Sequence, residues 1–282
     1  MALKKKGEIH PLLKTYLVTG IKGLIIGGTM LVPGVSGGSM AMILGIYDKL
    51  IASVSSFLRE KRKHFFFLFC FCIGAILGIG LFAKPLSHLI DRFPMPTMYF
   101  FIGAVAGGIP LICRQAKVKS FTLKVPAYIL LGAAVVLGIS MIPASATGIQ
   151  AQEGVASFFL LFLSGFVGAI ALILPGISVS YVLLLIGLYD QTMEAIGSFY
   201  LPFLVPLVIG LGVGIILMAK LLEKALTRYP QATHLMILGF LLGSVVTIFP
   251  GIPTFKELLW CMLLFFVGFI VIYLLSRREE IK

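Results

Sequence analysis

A helix-breaking Pro33-Gly34-Val35-Ser36 interrupts an apolar stretch near the start of the chain, and it returns in mid-chain as Pro175-Gly176-Ile177-Ser178. The match runs on through Gly45-Ile46-Tyr47-Asp48 and Gly187-Leu188-Tyr189-Asp190 at a constant offset of 142. Further along the offset becomes 136. It then pairs Gly74 with Gly210, Gly78 with Gly214, Lys84 with Lys220, Arg92 with Arg228, Pro94 with Pro230, Gly103 with Gly239 and Gly107 with Gly243. Chance supplies apolar matches readily, but not ordered matches of Lys, Arg, Pro and Gly. The chain therefore reads as two copies of one unit.

Each copy is too apolar for water. Of the 282 residues 59% are hydrophobic and only 12% are charged, about half the charged share of an average soluble domain. Arg92 and Arg114 bracket 21 uncharged residues, and Lys124 and Glu153 bracket 28. A spanning helix needs about 20. The expected fold is an all-α integral membrane protein. Repeat one (1–143) holds a broken hairpin at 16–58 and spans at 65–83, 95–113 and 125–143. Repeat two (144–282) holds a hairpin at 154–199 and spans at 201–219, 232–250 and 258–275.

The broken segments are too short to be two spans. Glu153 and Asp190 bracket 36 uncharged residues, and two spans plus a turn need more than about 40. Only some 13 apolar residues follow Pro175-Gly176 before Asp190, roughly 20 Å as one helix. The economical reading is a re-entrant hairpin whose tip lies inside the bilayer. A hairpin enters and leaves on one face, and three spans follow. The second copy then begins on the opposite face, so the repeats are inverted.

Charge placement supports that topology. With the N-terminus in the cytoplasm, 20 of the 23 Lys and Arg residues fall on the cytoplasmic side, leaving Lys84, Arg92 and Lys256 outside. The formal charge of +12 sits in short clusters between apolar runs, which is a topology signal and not a nucleic-acid surface. The reading is a multi-pass protein of the cytoplasmic (inner) membrane with both termini inside.

Broken backbone inside lipid is costly unless it is buried in protein or lines a wet cavity. Paired breaks near the midplane are a recurring transporter plan. At the tip Pro33-Gly34-Val35-Ser36-Gly37-Gly38-Ser39, proline stops one helix and serine can cap the next. The exposed amides of that next helix suit an anion. The matching candidates in copy two are Pro175, Gly176, Ile177, Ser178 and Ser180. Lys22, Arg92 and Arg228 are candidates for neutralising a phosphate, with Lys84 and Lys220 repeat-matched nearby. Asp48 and Asp190 are candidates for proton coupling or gating at the ends of the return helices. Tyr47 and Tyr189 are coupling or gating candidates beside them, and also read as interfacial anchors.

Enzyme chemistry has little to stand on. The four histidines, His10, His64, His88 and His234, show no metal-ligand spacing, and no serine has a histidine and acid placed for a triad. There is no GxxxxGK[ST] stretch for nucleotide. No cofactor or metal is expected, and the four cysteines suggest packing and not a disulfide framework.

The stretch Gly27-Gly28-Thr29-Met30-Leu31-Val32-Pro33-Gly34-Val35-Ser36-Gly37-Gly38-Ser39 with Gly45-Ile46-Tyr47-Asp48, and its partner around Pro175-Gly176-Ile177-Ser178 with Gly187-Leu188-Tyr189-Asp190, resembles a bacterial membrane family. That family was once classed as domain of unknown function 368 and is associated with polyprenyl-phosphate translocation. The resemblance covers nearly the whole chain. It implies undecaprenyl phosphate as substrate, and recycling of that carrier from the outer to the inner leaflet. Copy two has Val179 where the pattern leads one to expect glycine, so the main headgroup site is expected on copy one. The alternatives are a transporter of a small soluble anion and a non-transporting membrane scaffold.

Overall fold

The computed structural model describes residues 11–30, 35–57, 61–118, 122–142 and 155–279. These form twelve helices and, among the described residues, no strand. The first six are α1 (Pro11–Thr29), α2 (Gly37–Ile43), α3 (Tyr47–Ser56), α4 (Lys61–Arg92), α5 (Pro94–Gln115) and α6 (Lys124–Ser140). The same order follows in α7 (Val155–Ile173), α8 (Val179–Ile186), α9 (Tyr189–Ser198), α10 (Leu201–Arg228), α11 (Pro230–Ile248) and α12 (Phe255–Glu279). Helix is what an apolar chain must form in lipid, because every backbone N–H and C=O then pairs within its own segment. Five of these helices, α4, α5, α10, α11 and α12, are long and apolar enough to cross a membrane. The chain is an all-helical, multi-pass membrane protein.

The helices outrun the expected spans. Where 65–83 and 201–219 were expected, α4 has 32 residues and α10 has 28. At 1.5 Å per residue these measure roughly 48 and 42 Å, well beyond a hydrocarbon core of about 30 Å. A charge such as Lys84 or Lys220 ends an apolar run, but it does not interrupt backbone hydrogen bonding. The expected single return helix of 13 residues is also wrong, since it is two pieces. α2 and α8 are followed by Gly45 at φ +65° and Gly187 at φ +81°, backbone that glycine adopts without steric penalty. Both breaks close alike. Ile46 N–H donates to the Ala41 carbonyl at 3.0 Å, and Leu188 N–H donates to the Leu183 carbonyl at 2.9 Å. Asp48 and Asp190 consequently open α3 and α9, in the first turn of each, and do not end the return helices.

The joints after α4 and α10 share one backbone. Phe93 lies at φ −136°, ψ 61° and Tyr229 at φ −132°, ψ 56°. A proline then opens the next helix in both, where its missing N–H costs nothing. Thr97 Oγ1 donates to the Phe93 carbonyl at 2.7 Å, and Thr233 Oγ1 donates to the Tyr229 carbonyl at 2.8 Å. The Arg92 and Arg228 guanidiniums sit over the rings of Phe93 and Tyr229, 5.9 and 5.7 Å from the centroids.

Helices pair where glycine removes the side chain. α4 meets α1 through Gly74 and Gly78, and α10 meets α7 through Gly210 and Gly214. The last helix of each half crosses over. α12 packs on α5 at Gly103 and Gly107, and α6 packs on α11 at Gly239 and Gly243. A Cβ at Gly74, Gly103, Gly210 or Gly239 would run into a backbone carbonyl of the partner, the close approach that small residues permit in membranes. α5 and α11 form the middle. In each, 56% of the most apolar window is buried, against 17% for α4 and α12. They run antiparallel, for the Tyr99 hydroxyl near the start of α5 donates to the Gly251 carbonyl beyond the end of α11 at 3.1 Å.

Candidate functional site

The two breaks meet. Ser36 is the N-cap of α2, and its Oγ accepts from the Ser39 N–H at 3.1 Å. Ser36 and Ser39 share a hydrogen bond of 2.8 Å between their hydroxyls. Both hydroxyls also accept the Gly176 N–H, at 2.9 and 2.7 Å. The Tyr47 hydroxyl donates to the Ile173 carbonyl at 2.8 Å. Ile173 ends α7 and Gly176 follows Pro175, so both groups were stranded by the proline break. Burial without a partner would cost each of them dearly. The first hairpin supplies those partners. Gly38 makes room for this, since a Cβ there would press on Ile173 O and the Pro175 backbone.

Copy one is thereby closed. Val35, Ser36, Gly38 and Ser39 are buried, with Ser39 only 2% exposed. α2 packs on α5 and α7, and its Ile43 lies where a Cβ on Gly108 would go. Tyr47 is 3% exposed, which corrects its reading as an interfacial anchor. Its ring is enclosed because its hydroxyl is needed at Ile173. Pro33 and Gly34 lie outside the described residues.

Copy two is open. Its tip borders a cavity of about 980 Å³ lined by Gly176, Ile177, Ser178, Ser180, Tyr181, Leu184 and Tyr189. The rest of the wall comes from Met30, from the start of α5 (Pro94, Met98), the end of α6 (Val136, Ile139, Ser140) and the end of α11 (Thr247 to Pro250). Among the described residues no Lys, Arg, Asp or Glu lines it. Its polar groups are hydroxyls and backbone. Ser178 has the same extended backbone as Ser36, φ −90° and ψ 129°, yet makes no side-chain cap bond. The first turn of α8 thus borders the cavity without the hydroxyl cap that α2 receives. Tyr181 braces the wall, donating to the carbonyls of Ser140 at 3.0 Å and Ile142 at 3.1 Å.

The remaining candidates lie apart from this cavity. Lys22 Nζ donates to the Leu44 carbonyl at 2.9 Å. Arg92 and Arg228 are exposed at the two opposite ends of the bundle, stacked on the rings that follow them. Asp190 is exposed, whereas Tyr189 is on the cavity wall. Asp48 is half exposed, 3.8 Å from Nε2 of buried His234, and His234 Nδ1 lies 2.7 Å from the Pro230 carbonyl. Sequence reasoning missed Tyr181, Ser140 and Thr247 on the cavity wall. They join the site across separations such as the 41 residues between Ser140 and Tyr181, which no local pattern reports.

A helical membrane bundle with two broken helices meeting at its centre, and one cavity running to that meeting point, has the anatomy of a membrane transporter. Residues 26–260 match the family model described as undecaprenyl phosphate translocase-like, VCA0040-like. The chain belongs to that family. It is 34% identical over 269 residues to the polyprenyl-phosphate transporter of Staphylococcus aureus (strain NCTC 8325 / PS 47), covering 91% of this chain and 95% of the relative. It is 31% identical over 249 residues to the polyprenyl-phosphate transporter of Vibrio cholerae serotype O1 (strain ATCC 39315 / El Tor Inaba N16961), covering 83% and 78%. No solved structure matches the chain.

Proposed function

We propose that this chain is a polyprenyl-phosphate transporter, a non-enzymatic flippase that returns undecaprenyl phosphate from the outer to the inner leaflet of the cytoplasmic membrane. Family membership and the transporter function named for both relatives support the substrate. The observation that carries the mechanism is the cavity ending at the hydroxyl-uncapped start of α8.

In this reading the phosphate sits at the α8 N-terminus, where free amides and the helix dipole favour an anion. The hydroxyls of Ser178 and Ser180 lie within the same wall. Met98, Ile139, Leu184 and Ile248 offer apolar surface to the first isoprene units, while the rest of the tail stays among lipids. A wall of hydroxyls and backbone, with no cation among the described residues, binds phosphate modestly, which suits a carrier that must release it. With both termini in the cytoplasm, the ends that line the cavity face outward, toward the leaflet where the spent carrier is released.

The two halves act as inverted repeats, each with a re-entrant hairpin. The matched joints at Phe93 and Tyr229, the exchanged last helices α6 and α12 and the antiparallel α5 and α11 support this. Transport then consists of the halves exchanging roles, so that the first hairpin opens to the cytoplasm as the second closes.

The test is reconstitution. Purified protein in liposomes is expected to move labelled undecaprenyl phosphate between leaflets, and Ser178→Leu is expected to lower the rate at least tenfold without loss of folded protein. Liposomes that flip no lipid, or an unaffected Ser178→Leu, would count against the reading.

A further inference from the structure

The repeat gives the open wall a counterpart in the other half, and the glycine contacts follow the same pairing. A Cβ on Gly103 would strike the Phe265 carbonyl, and one on Gly239 that of Ile129; a Cβ on Gly132 would strike the Met236 carbonyl, and one on Gly268 that of Phe100. Each residue stands 136 positions from its counterpart. Under that pairing, and the offset of 142 in the hairpins, Ile248, Val136, Ser140, Ser178, Tyr181 and Leu184 of the cavity wall correspond to Ile112, Ile272, Ser276, Ser36, Ser39 and Met42. All six counterparts are buried, none more than 5% exposed. They trace a matching route at the opposite end, and that route is shut. Met98 on the open wall corresponds to His234, and there the two halves differ in chemistry.

His234 is 5% exposed, and its Nδ1 lies 2.7 Å from the Pro230 carbonyl. Only an N–H makes that contact favourable, so the neutral ring keeps its proton on Nδ1 and a bare lone pair on Nε2. Nε2 is buried and, among the described residues, has no hydrogen-bond partner. It faces Asp48 Oδ2 at 3.8 Å, in the first turn of α3. A carboxylate is also an acceptor, so neither atom can donate to the other. The pair lacks one proton. The other half has no such pair, with Met98 in place of the histidine and Asp190 exposed.

We infer that His234 and Asp48 form a proton-binding latch: one proton held between them ties α3 to α11 and keeps the cytoplasmic route shut. The latch rests on the transport reading and gives its inner gate a ligand. The proton comes from water on the Asp48 side, where the carboxylate is half exposed, and binds Nε2. Imidazolium and carboxylate then attract, strongly because the ring is out of water. Without the proton a buried nitrogen stays unpaired against a second acceptor, a penalty that opening to water relieves. The strain falls on the hairpin contact, since Asp48 directly follows Tyr47, whose hydroxyl holds the Ile173 carbonyl. Other charged groups surround the pair. Lys117, just past α5, acts on the imidazole, and α6 brings Lys124 to the cleft that Lys117 and Pro230 also line. α5 ends on Arg114 and Gln115, and α10 carries Lys220, Glu223, Lys224 and Arg228 near its end. From α4, His64 Nδ1 lies 3.2 Å from Ser53 Oγ of α3, so a second histidine touches the same helix and serves as the control.

The experiment uses the full chain in lipid nanodiscs, with its native cysteines replaced by serine and spin labels on Ser56→Cys at the end of α3 and Gln231→Cys at the start of α11. Pulsed dipolar spectroscopy reads the distance between the labels, with no prenyl phosphate present. Between about pH 8.5 and about pH 5.5, across the ordinary imidazole range, the ratio of short to long distances is expected to rise about tenfold as the proton binds. Asp48→Asn and His234→Gln are each expected to hold that change below about twofold, because the linkage to the proton is gone. His64→Gln is expected to respond as the unsubstituted latch does. Asp48 is half exposed, so Asp48→Asn decides the matter should His234→Gln fail to fold. A distance that ignores pH, a full response in Asp48→Asn, or a response lost in His64→Gln would overturn the proposal. The distances are read without transport, and lipid flipping in liposomes is read without labels, so the latch can fail while the transport reading stands.

Discussion

A peptide N–H stranded inside a membrane protein must find a partner, and the Gly176 N–H finds two serine hydroxyls. The redundancy makes a sharp prediction. With Ser39→Ala, Ser36 still accepts the amide, so the loss is about 1 kcal/mol, that of one net hydrogen bond. With both serines changed to alanine both bonds are lost and the N–H is also buried unpaired, a further penalty of about 1–3 kcal/mol on top of the two single losses. The double variant is therefore expected to lose more stability than the two single variants summed. Unfolding in detergent, arranged as a double-mutant cycle, measures the excess. Simple additivity would mean that the amide has another partner.

At the scale of the helix, glycine divides into two kinds. Gly103 and Gly239 face the backbone of a partner helix, whereas a Cβ at Gly80 or Gly212 meets nothing within 4 Å. Replacement by alanine tests the difference directly. Gly103→Ala and Gly239→Ala force the α5–α12 and α6–α11 pairs apart, a cost of about 1–3 kcal/mol by overpacking. Gly80→Ala and Gly212→Ala gain up to about 1 kcal/mol from helix propensity. Melting temperatures of the four variants are expected to move in those opposite directions. The glycine repeats were legible in sequence as matched positions. Which helix Gly103 and Gly239 met was not, because their partners lie in the other half of the chain.

For the whole molecule, the question is which end is open. Cysteine labelling answers it in a variant whose four native cysteines, Cys70, Cys72, Cys113 and Cys261, are replaced by serine. Ser180→Cys and Thr247→Cys line the large cavity and are expected to react with a membrane-impermeant maleimide added outside intact cells. Ser39→Cys is buried at the hairpin contact and is expected to stay unlabelled. Gln231→Cys, in a cleft of about 620 Å³ at the opposite end, is expected to react only after permeabilisation. The reverse pattern would turn the bundle over and place the cavity on the cytoplasmic side.

The chain's own order of residues carried the membrane class, the repeated motif and the break at Pro175-Gly176. Uncharged length, prolines and glycines act locally, so a linear reading recovers them. It also named Ser36, Gly38, Ser39, Gly176 and Ser178 before any contact was known. What tertiary structure decided was the use of those residues. Two nearly equal tips cannot occupy the same central space in the same way, so one closes over the other's stranded amide and the other is left facing the cavity. Ser39 in copy one corresponds to Tyr181 in copy two, and Gly38 to Ser180. Those small differences acquire meaning only where the hairpins touch, through hydrogen bonds spanning 126 to 140 residues. The exchange of α6 and α12 between halves was likewise invisible, because a helix's apolar face records that it is buried and not which helix buries it.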